Sequence, residues 1–160
     1  MNVKIQAAIL TVSDSRKLEN DSSGDCLFEL LSECSAEIIN RKIVTDDFEN
    51  LRETLFDLTE RDDVNLIVTA GGTGFSDRDN TPEATRVVIE KEAQGIAEAM
   101  RFETLKNTPF AMLSRGICGI RNRTLIINLP GSPKGVRECF EVIKPVLQHA
   151  VNLICGETKH

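Results

Sequence analysis

The chain has 160 residues, enough for one domain that buries roughly 70% of its unfolded surface without disulfide staples. A net charge of −6 and an aromatic content of 4%, with no Trp or Tyr, exclude the basic stripe and stacking platform of a nucleic-acid binder. No apolar run reaches membrane-spanning length, and the N-terminal Val3–Val12 run turns polar too quickly for a signal peptide.

In chain order, Ile5–Val12 reads as a buried strand, followed by a polar loop from Ser13-Asp14-Ser15 to Gly24. Leu27, Leu30, Leu31 and Cys34 recur at helical spacing. Glu37–Val44 is a second strand. Phe48, Leu51, Leu55 and Leu58 mark a helix opening near Asp46-Asp47, and Val64–Thr69 is a third strand. Helices are predicted from Thr81 to about Gln94 and from about Ile96 to Lys106. Phe110–Leu113 and Thr124–Leu129 read as strands, with a glycine-marked strand or turn between Gly116 and Arg123. Pro130 to Lys134 is a tight loop, and a last helix runs from Val136 to Ile154, with a kink or joint expected at Pro145.

Strands alternating with helices predict a three-layer, doubly wound α/β domain with a mostly parallel sheet and helices on both faces. The loops after the strands of such a sheet gather along one edge. Four polar loops are thereby brought to one cleft: Ser13-Asp14, Asp46-Asp47, Gly71 to Asp79, and Pro130 to Lys134.

The third of these is the most informative. Gly71-Gly72-Thr73-Gly74-Phe75 lies between a strand and the helix start Thr81-Pro82-Glu83, in which Thr81 suits a cap and Pro82 the first helical position. Three glycines in four residues let backbone N–H groups face an anion at a helix N-terminus. No GxxxxGK[ST] or GxGxxG is present. Asp77 and Asp79 conflict with a bare phosphate, and a divalent cation between carboxylate and phosphate resolves the conflict. Asp79 is not needed as a cap, since Asn80 and Thr81 are available. Asp46 and Asp47 are balanced between capping and site roles, with the convergence of loops favouring Asp46.

Elsewhere, Ser132 and Pro133 make a helix entry, whereas Gly131 has no such explanation, and Lys134 offers a cation. At least two of Arg115, Arg121 and Arg123 are expected as solvated charge, and the isolated His149 and His160 as neither metal ligands nor bases. The five cysteines contain no CxxC pair. They imply neither a disulfide framework nor a zinc site, and a reducing, cytoplasmic compartment is the expectation.

Leu10–Ser15, Gly71–Phe75 with Arg78-Asp79 and Thr81–Thr85, Met112–Arg115 and Thr124–Ser132 together closely resemble the molybdopterin adenylyltransferases of molybdenum cofactor synthesis. That family includes the bacterial MogA/MoaB type and a domain of two-domain proteins such as gephyrin. The resemblance implies a homotrimer with ATP and molybdopterin as substrates and a magnesium ion assisting. The terminal phosphate of molybdopterin attacks the α-phosphorus of ATP and pyrophosphate leaves. The family's two important acidic positions fall on Asp46 and Asp79, implied as catalytic and metal-holding residues. Substrate binding is assigned to Ser13, Asp14, Gly71, Gly72, Thr73, Gly74, Phe75, Ser114, Pro130, Gly131, Ser132 and Lys134. Two positions depart from the pattern: Asp77, where Pro, Ala or Arg is expected, and Asn80, where Val is usual. Molybdate insertion is expected to fall to a partner protein or domain. The rivals to the catalytic reading are a trimeric molybdopterin-binding or scaffolding module without catalysis, which retention of Asp46 and Asp79 disfavours, and a general nucleotide-binding protein, which leaves the joint motif set unexplained.

Overall fold

The structure is a computed structural model and describes residues 2–157. A six-stranded sheet in the order β2-β1-β3-β6-β5-β4 forms the middle layer. Strands β1 (Gln6–Val12), β2 (Glu37–Val44), β3 (Leu66–Ala70) and β6 (Thr124–Leu129) run parallel to one another. β4 (Lys91–Glu92) and β5 (Cys118–Arg121) extend the sheet antiparallel on the β6 side.

The two-residue period of the strands sorts their side chains into two cores. Ile9, Leu66, Val68, Leu125 and Ile127 pack with Leu27, Leu30, Phe140 and Leu147 of α1 (Ser22–Glu33) and α5 (Pro133–Ile154). Ala97 and Met100 of α4 (Gln94–Thr104) join that side. Leu10, Ile67 and Ile126 face Leu51, Leu55, Ala84 and Val88 of α2 (Phe48–Thr59) and α3 (Thr81–Val88). The strands are apolar on both faces because both are covered.

Several expectations are corrected. The helix predicted from Thr81 to Gln94 stops at Val88. The β-branched run Val87-Val88-Ile89 propagates a helix poorly, and β5 captures the next residues: Glu90 N–H donates to the Ile120 carbonyl and Ala93 N–H to that of Cys118. The next helix accordingly begins at Gln94 and ends at Thr104. Phe110–Leu113 is not a strand. It lies in a 3-10 helix, Pro109–Leu113, started by Thr108, whose Oγ1 accepts from the Phe110 N–H. The glycine-marked segment is a strand, joined to β6 by Asn122-Arg123 with Asn122 at φ 51°. Pro145 does not break α5, which runs unbroken through it with the ring on the exposed face. Helix α1 starts at Ser22, five residues before the first apolar position of its pattern, because Asp21 caps it.

Asp21 is fully buried and so must be paired. It accepts from Thr11 Oγ1 at 2.8 Å, from Gly24 N–H at 3.0 Å and from the Arg41 guanidinium at 3.3 Å. The start of α1 is thereby locked to β1 and β2. All five cysteines are free. Burial pushes the Cys118 thiol up to about 12 and that of Cys139 up to about 11, which makes them inert core residues. His149 is exposed on α5, and His160 lies outside the described residues. No helix among the described residues is long and apolar enough to cross a membrane.

Candidate active site

The four parallel strands end on one edge, and the loops after β1 and β3 part where the chain order reverses, the usual ligand crevice of such sheets. A polar cleft of about 520 Å³ opens there. Val12 to Arg16, Asp46, Ala70 to Gly72, Ser76, Arg78, Asp79, Gly131 and Ser132 line it. The predicted convergence of four loops is what the sheet delivers, though not every predicted residue takes part.

Gly71 sits at φ 104°, and a Cβ there would lie 2.5 Å from the Val12 carbonyl oxygen. Only glycine lets the loops after β1 and β3 touch. Gly131 has a matching reason: its Cβ would stand 3.3 Å from Gly71 Cα, so the loop after β6 also closes on the same point. The Gly131 carbonyl accepts from Ser23 Oγ and from Arg16, which ties the α1 start to this loop. Thr81 is not a cap. Its buried Oγ1 donates to the Gly71 carbonyl at 2.9 Å and its N–H to that of Gly72, fastening the Gly-rich loop to α3.

The carboxylates divide clearly. Asp47 is the N-cap of α2, accepting from Asn50 N–H at 2.8 Å. Asp46 is left to the cleft. Its backbone N–H donates to Asp14 Oδ1 at 2.8 Å. Burial, and then the charge of Asp79, raise the pKa of Asp46. Asp79 closes a turn: Ser76 N–H donates to its Oδ2 at 3.0 Å, and its own N–H donates to the Ser76 carbonyl at 2.9 Å. Neither Asp46 nor Asp79 is in an ion pair among the described residues, whereas Asp14 pairs with Arg78 across the cleft.

Arg115 departs from the expectation of solvated charge. Its Nε donates to the Gly74 carbonyl at 2.7 Å, Nη2 to the Asp79 carbonyl at 2.8 Å, and Nη1 to Glu83. Partial burial opposes charge on Glu83, but hydrogen bonds from Arg115 and from its own backbone outweigh it and lower its pKa. Arg121 likewise stacks on Phe56 and pairs with Glu60 and Glu90, and Arg123 donates to the Cys155 carbonyl.

Ser13, Asp14, Asp46, Gly71, Gly72, Asp79, Gly131 and Ser132 therefore meet at the cleft. Ser114 and Pro130 line a separate, mostly apolar cavity of about 190 Å³ between α4, α5 and the 109–113 turn, with Ser132 on the rim of both. Thr73 is buried, and its carbonyl accepts the Arg115 N–H. Phe75 is exposed on the loop. Lys134 is not brought to the cleft. It lies in a groove with Asp25, Glu29 and Arg137, 3.8 Å from Glu138. The cations that line the cleft are Arg16 and Arg78; Arg16 is signalled in the sequence only by its position in the loop after β1, whereas Arg78 also belongs to the motif that carries the resemblance. Asp77 is exposed and outside the lining. Among the described residues the N–H groups of Gly72, Thr73 and Gly74 donate to no atom of the chain. Successive unpartnered N–H groups in a Gly-rich turn suit an anion, and of these three residues Gly72 lines the cleft.

Residues 8–149 match the family described as "Probable molybdopterin binding domain". The chain is 42% identical over 156 residues to the molybdopterin adenylyltransferase of Helicobacter pylori strain J99, covering 95% of this chain and 89% of that protein. It is 44% identical over 153 residues to the molybdenum cofactor synthesis protein cinnamon of Drosophila melanogaster, covering 94% of this chain but only 26% of the longer relative. The crystal structure of the molybdopterin biosynthesis enzyme MoaB from Thermus thermophilus superposes with a TM-score of 0.87 at 43% identity, over 95% of this chain and 97% of that one. With this sheet order, this glycine-built cleft and these matches along nearly its whole length, the chain belongs to the molybdopterin-binding domain family of molybdenum cofactor biosynthesis.

Proposed function

We propose that the chain is a molybdopterin adenylyltransferase, the activity named for its Helicobacter relative. The observation that carries this reading is that Asp46 and Asp79 share one cleft with Gly72, the first of three successive residues whose N–H groups have no partner among the described residues. The reaction transfers AMP: a phosphate oxygen of molybdopterin bonds to the α-phosphorus of ATP as the bond to pyrophosphate breaks. No covalent enzyme nucleophile is needed, so the chain's work is positioning and charge neutralisation. The Gly72–Gly74 amides hold one phosphate, and Arg16 and Arg78 supply positive charge at the cleft.

Asp46 and Asp79 suit magnesium. Burial and the neighbouring Asp79 charge disfavour ionisation of Asp46, and among the described residues no side-chain cation forms an ion pair with either carboxylate. Among the described residues no group of three or more His, Cys, Asp or Glu forms a complete cage. Magnesium is commonly held by one or two carboxylates plus substrate phosphates, so the pair fits an ion that arrives with the nucleotide. When bound, magnesium neutralises charge developing on the leaving pyrophosphate. Incubation with molybdopterin, ATP and Mg²⁺ is expected to yield adenylylated pterin and pyrophosphate, and excess EDTA to abolish the product. Full activity in EDTA would remove the reason for pairing the two carboxylates with a metal. Because its pKa is raised, Asp46 takes up a proton earlier than an ordinary aspartate as pH falls, so cation affinity drops at the high end of the carboxylate range.

The same reading includes a homotrimer. Phe102 on α4 and Phe110 and Met112 on the 109–113 turn are 67%, 75% and 62% exposed, and Leu105 at the C-cap of α4 and Leu113 at the end of the turn are exposed as well. So many large apolar side chains along neighbouring elements suit burial against further copies. Sedimentation at micromolar concentration is expected to give three times the 17.7 kDa chain mass. A monomer alone would overturn that assignment.

A further inference from the structure

Asn80 is the N-cap of α3, yet its side chain makes no capping bond to the helix. Its Nδ2 donates instead to the Asp46 carbonyl at 3.0 Å and to the Arg78 carbonyl at 3.3 Å. One carboxamide therefore links the loop after β3 to the loop after β2. On the other side of Asp46, its N–H is held by Asp14 Oδ1 at 2.8 Å. The two peptide groups that flank the Asp46 side chain are each gripped by a side chain from a different loop. Asp79, one residue before Asn80, is fixed on its own side by Arg115 and by the Ser76 turn.

We propose that Asn80 is a positioning residue for divalent-cation binding: by holding the Asp46 carbonyl it sets where the Asp46 carboxylate stands relative to Asp79. The proposal rests on the adenylyltransferase reading, in which those two carboxylates share a magnesium ion. Like charges repel, so a tether on the loop after β2 favours arrangements that keep both carboxylates within reach of one cation, and this chain adds such a bond at a position where Val is usual. Asn80 is that tether on the carbonyl side, and Asp14 on the amide side. Among the described residues Asn80 makes no hydrogen bond to Gly72, Thr73 or Gly74, so phosphate and pterin contacts made there are expected to survive its loss.

The test uses the full chain with Asn80→Val and Asn80→Ser. Valine can neither donate nor cap, whereas serine is a good helix cap that is too short to span the loops. Manganese binding in the presence of a non-hydrolysable ATP analogue is read by electron paramagnetic resonance, beside the Mg²⁺ dependence of turnover. Both variants are expected to raise the half-saturating metal concentration about 3- to 10-fold, the scale of one lost hydrogen bond. Turnover at saturating Mg²⁺ and molybdopterin affinity are expected to change little. If serine restores wild-type manganese binding, the residue acts through the helix start and the proposal fails. If both variants bind manganese as wild type while Asp46→Asn does not, Asn80 is idle and the carboxylate reading stands. If Asp46→Asn also binds as wild type, the carboxylate reading itself falls, and this inference with it.

Discussion

Asp79→Asn is expected to lower adenylylation turnover by on the order of 10²-fold or more, the usual loss when one preorganised electrostatic group is removed from a reacting centre. The loop should survive the change. The Ser76 N–H bonds one Asp79 side-chain oxygen at 3.0 Å, which an Asn carbonyl oxygen reproduces, and Arg115 bonds the Asp79 backbone carbonyl, which the substitution leaves in place. What disappears is the negative charge beside Asp46. Repulsion from Asp79 is the second cause of the raised Asp46 pKa, after burial, so the variant should also bring the Asp46 carboxyl back toward its ordinary value. Molybdopterin affinity is expected to hold, because the anion contacts are assigned to the Gly72–Gly74 amides. The measurement is turnover and pterin affinity on the same folded variant. Turnover near wild type would make Asp79 a loop residue only. A parallel fall in turnover and pterin affinity would make it a binding residue and end the proposed division of labour.

Gly71→Ala is expected to cost about 3 kcal/mol of stability, the sum of a positive-φ penalty and an overpacking term. Gly71 has φ 104°, and the added methyl would meet the Val12 carbonyl oxygen at 2.5 Å. That oxygen belongs to backbone at the end of β1, so relief requires the Ser13-Asp14 loop and the Gly-rich loop to separate. For a chain of this size the melting temperature should fall by roughly 6–12 °C. Activity should fall further than stability explains, by on the order of 10²-fold, because the cleft walls move relative to each other and catalysis by positioning tolerates little displacement. Thermal unfolding and turnover well below the transition check the two effects separately. An unchanged melting temperature would show that the β3 turn has another low-energy path and that Gly71 is not required for the loop contact.

Much of this architecture is written locally. β1, β2, β3 and β6 were legible from short apolar runs bounded by polar loops, and α2 and α5 from apolar spacing, because burial on a two- or 3.6-residue period is a property of the segment itself. The convergence of Ser13-Asp14, Asp46, Gly71-Gly72, Asp79 and Gly131-Ser132 followed from the parallel order alone, since every parallel strand ends on the same edge. The glycines of the third loop announced a close approach without naming its partner. The choice between Asp46 and Asp47 did not follow from sequence, as both are good caps. The structure makes Asp47 the cap, since its carboxylate reaches the Asn50 N–H, and places Asp46 in the cleft lining.

Tertiary structure alone decided the features whose partners are far away in the chain. Lys91-Glu92 is a strand because β5 offers its carbonyls, against the helical reading of its own neighbourhood. Phe110–Leu113 is apolar but pairs with no strand among the described residues and forms a 3-10 turn whose Phe110, Met112 and Leu113 side chains stay exposed. Lys134 is the second residue of α5 and lines the groove with Asp25, Glu29 and Arg137, away from the cleft that Ser132, two positions earlier, lines. Asp21 with Arg41, Arg115 with Gly74 and Asp79, and Asn80 with Asp46 join residues 20 to 41 positions apart. A hydrogen bond is directional over about 3 Å, and no pattern of residue types along the chain specifies which distant atom arrives within that reach. Periodicity records which face is buried. Only the packed layers determine what each polar side chain meets when it gets there.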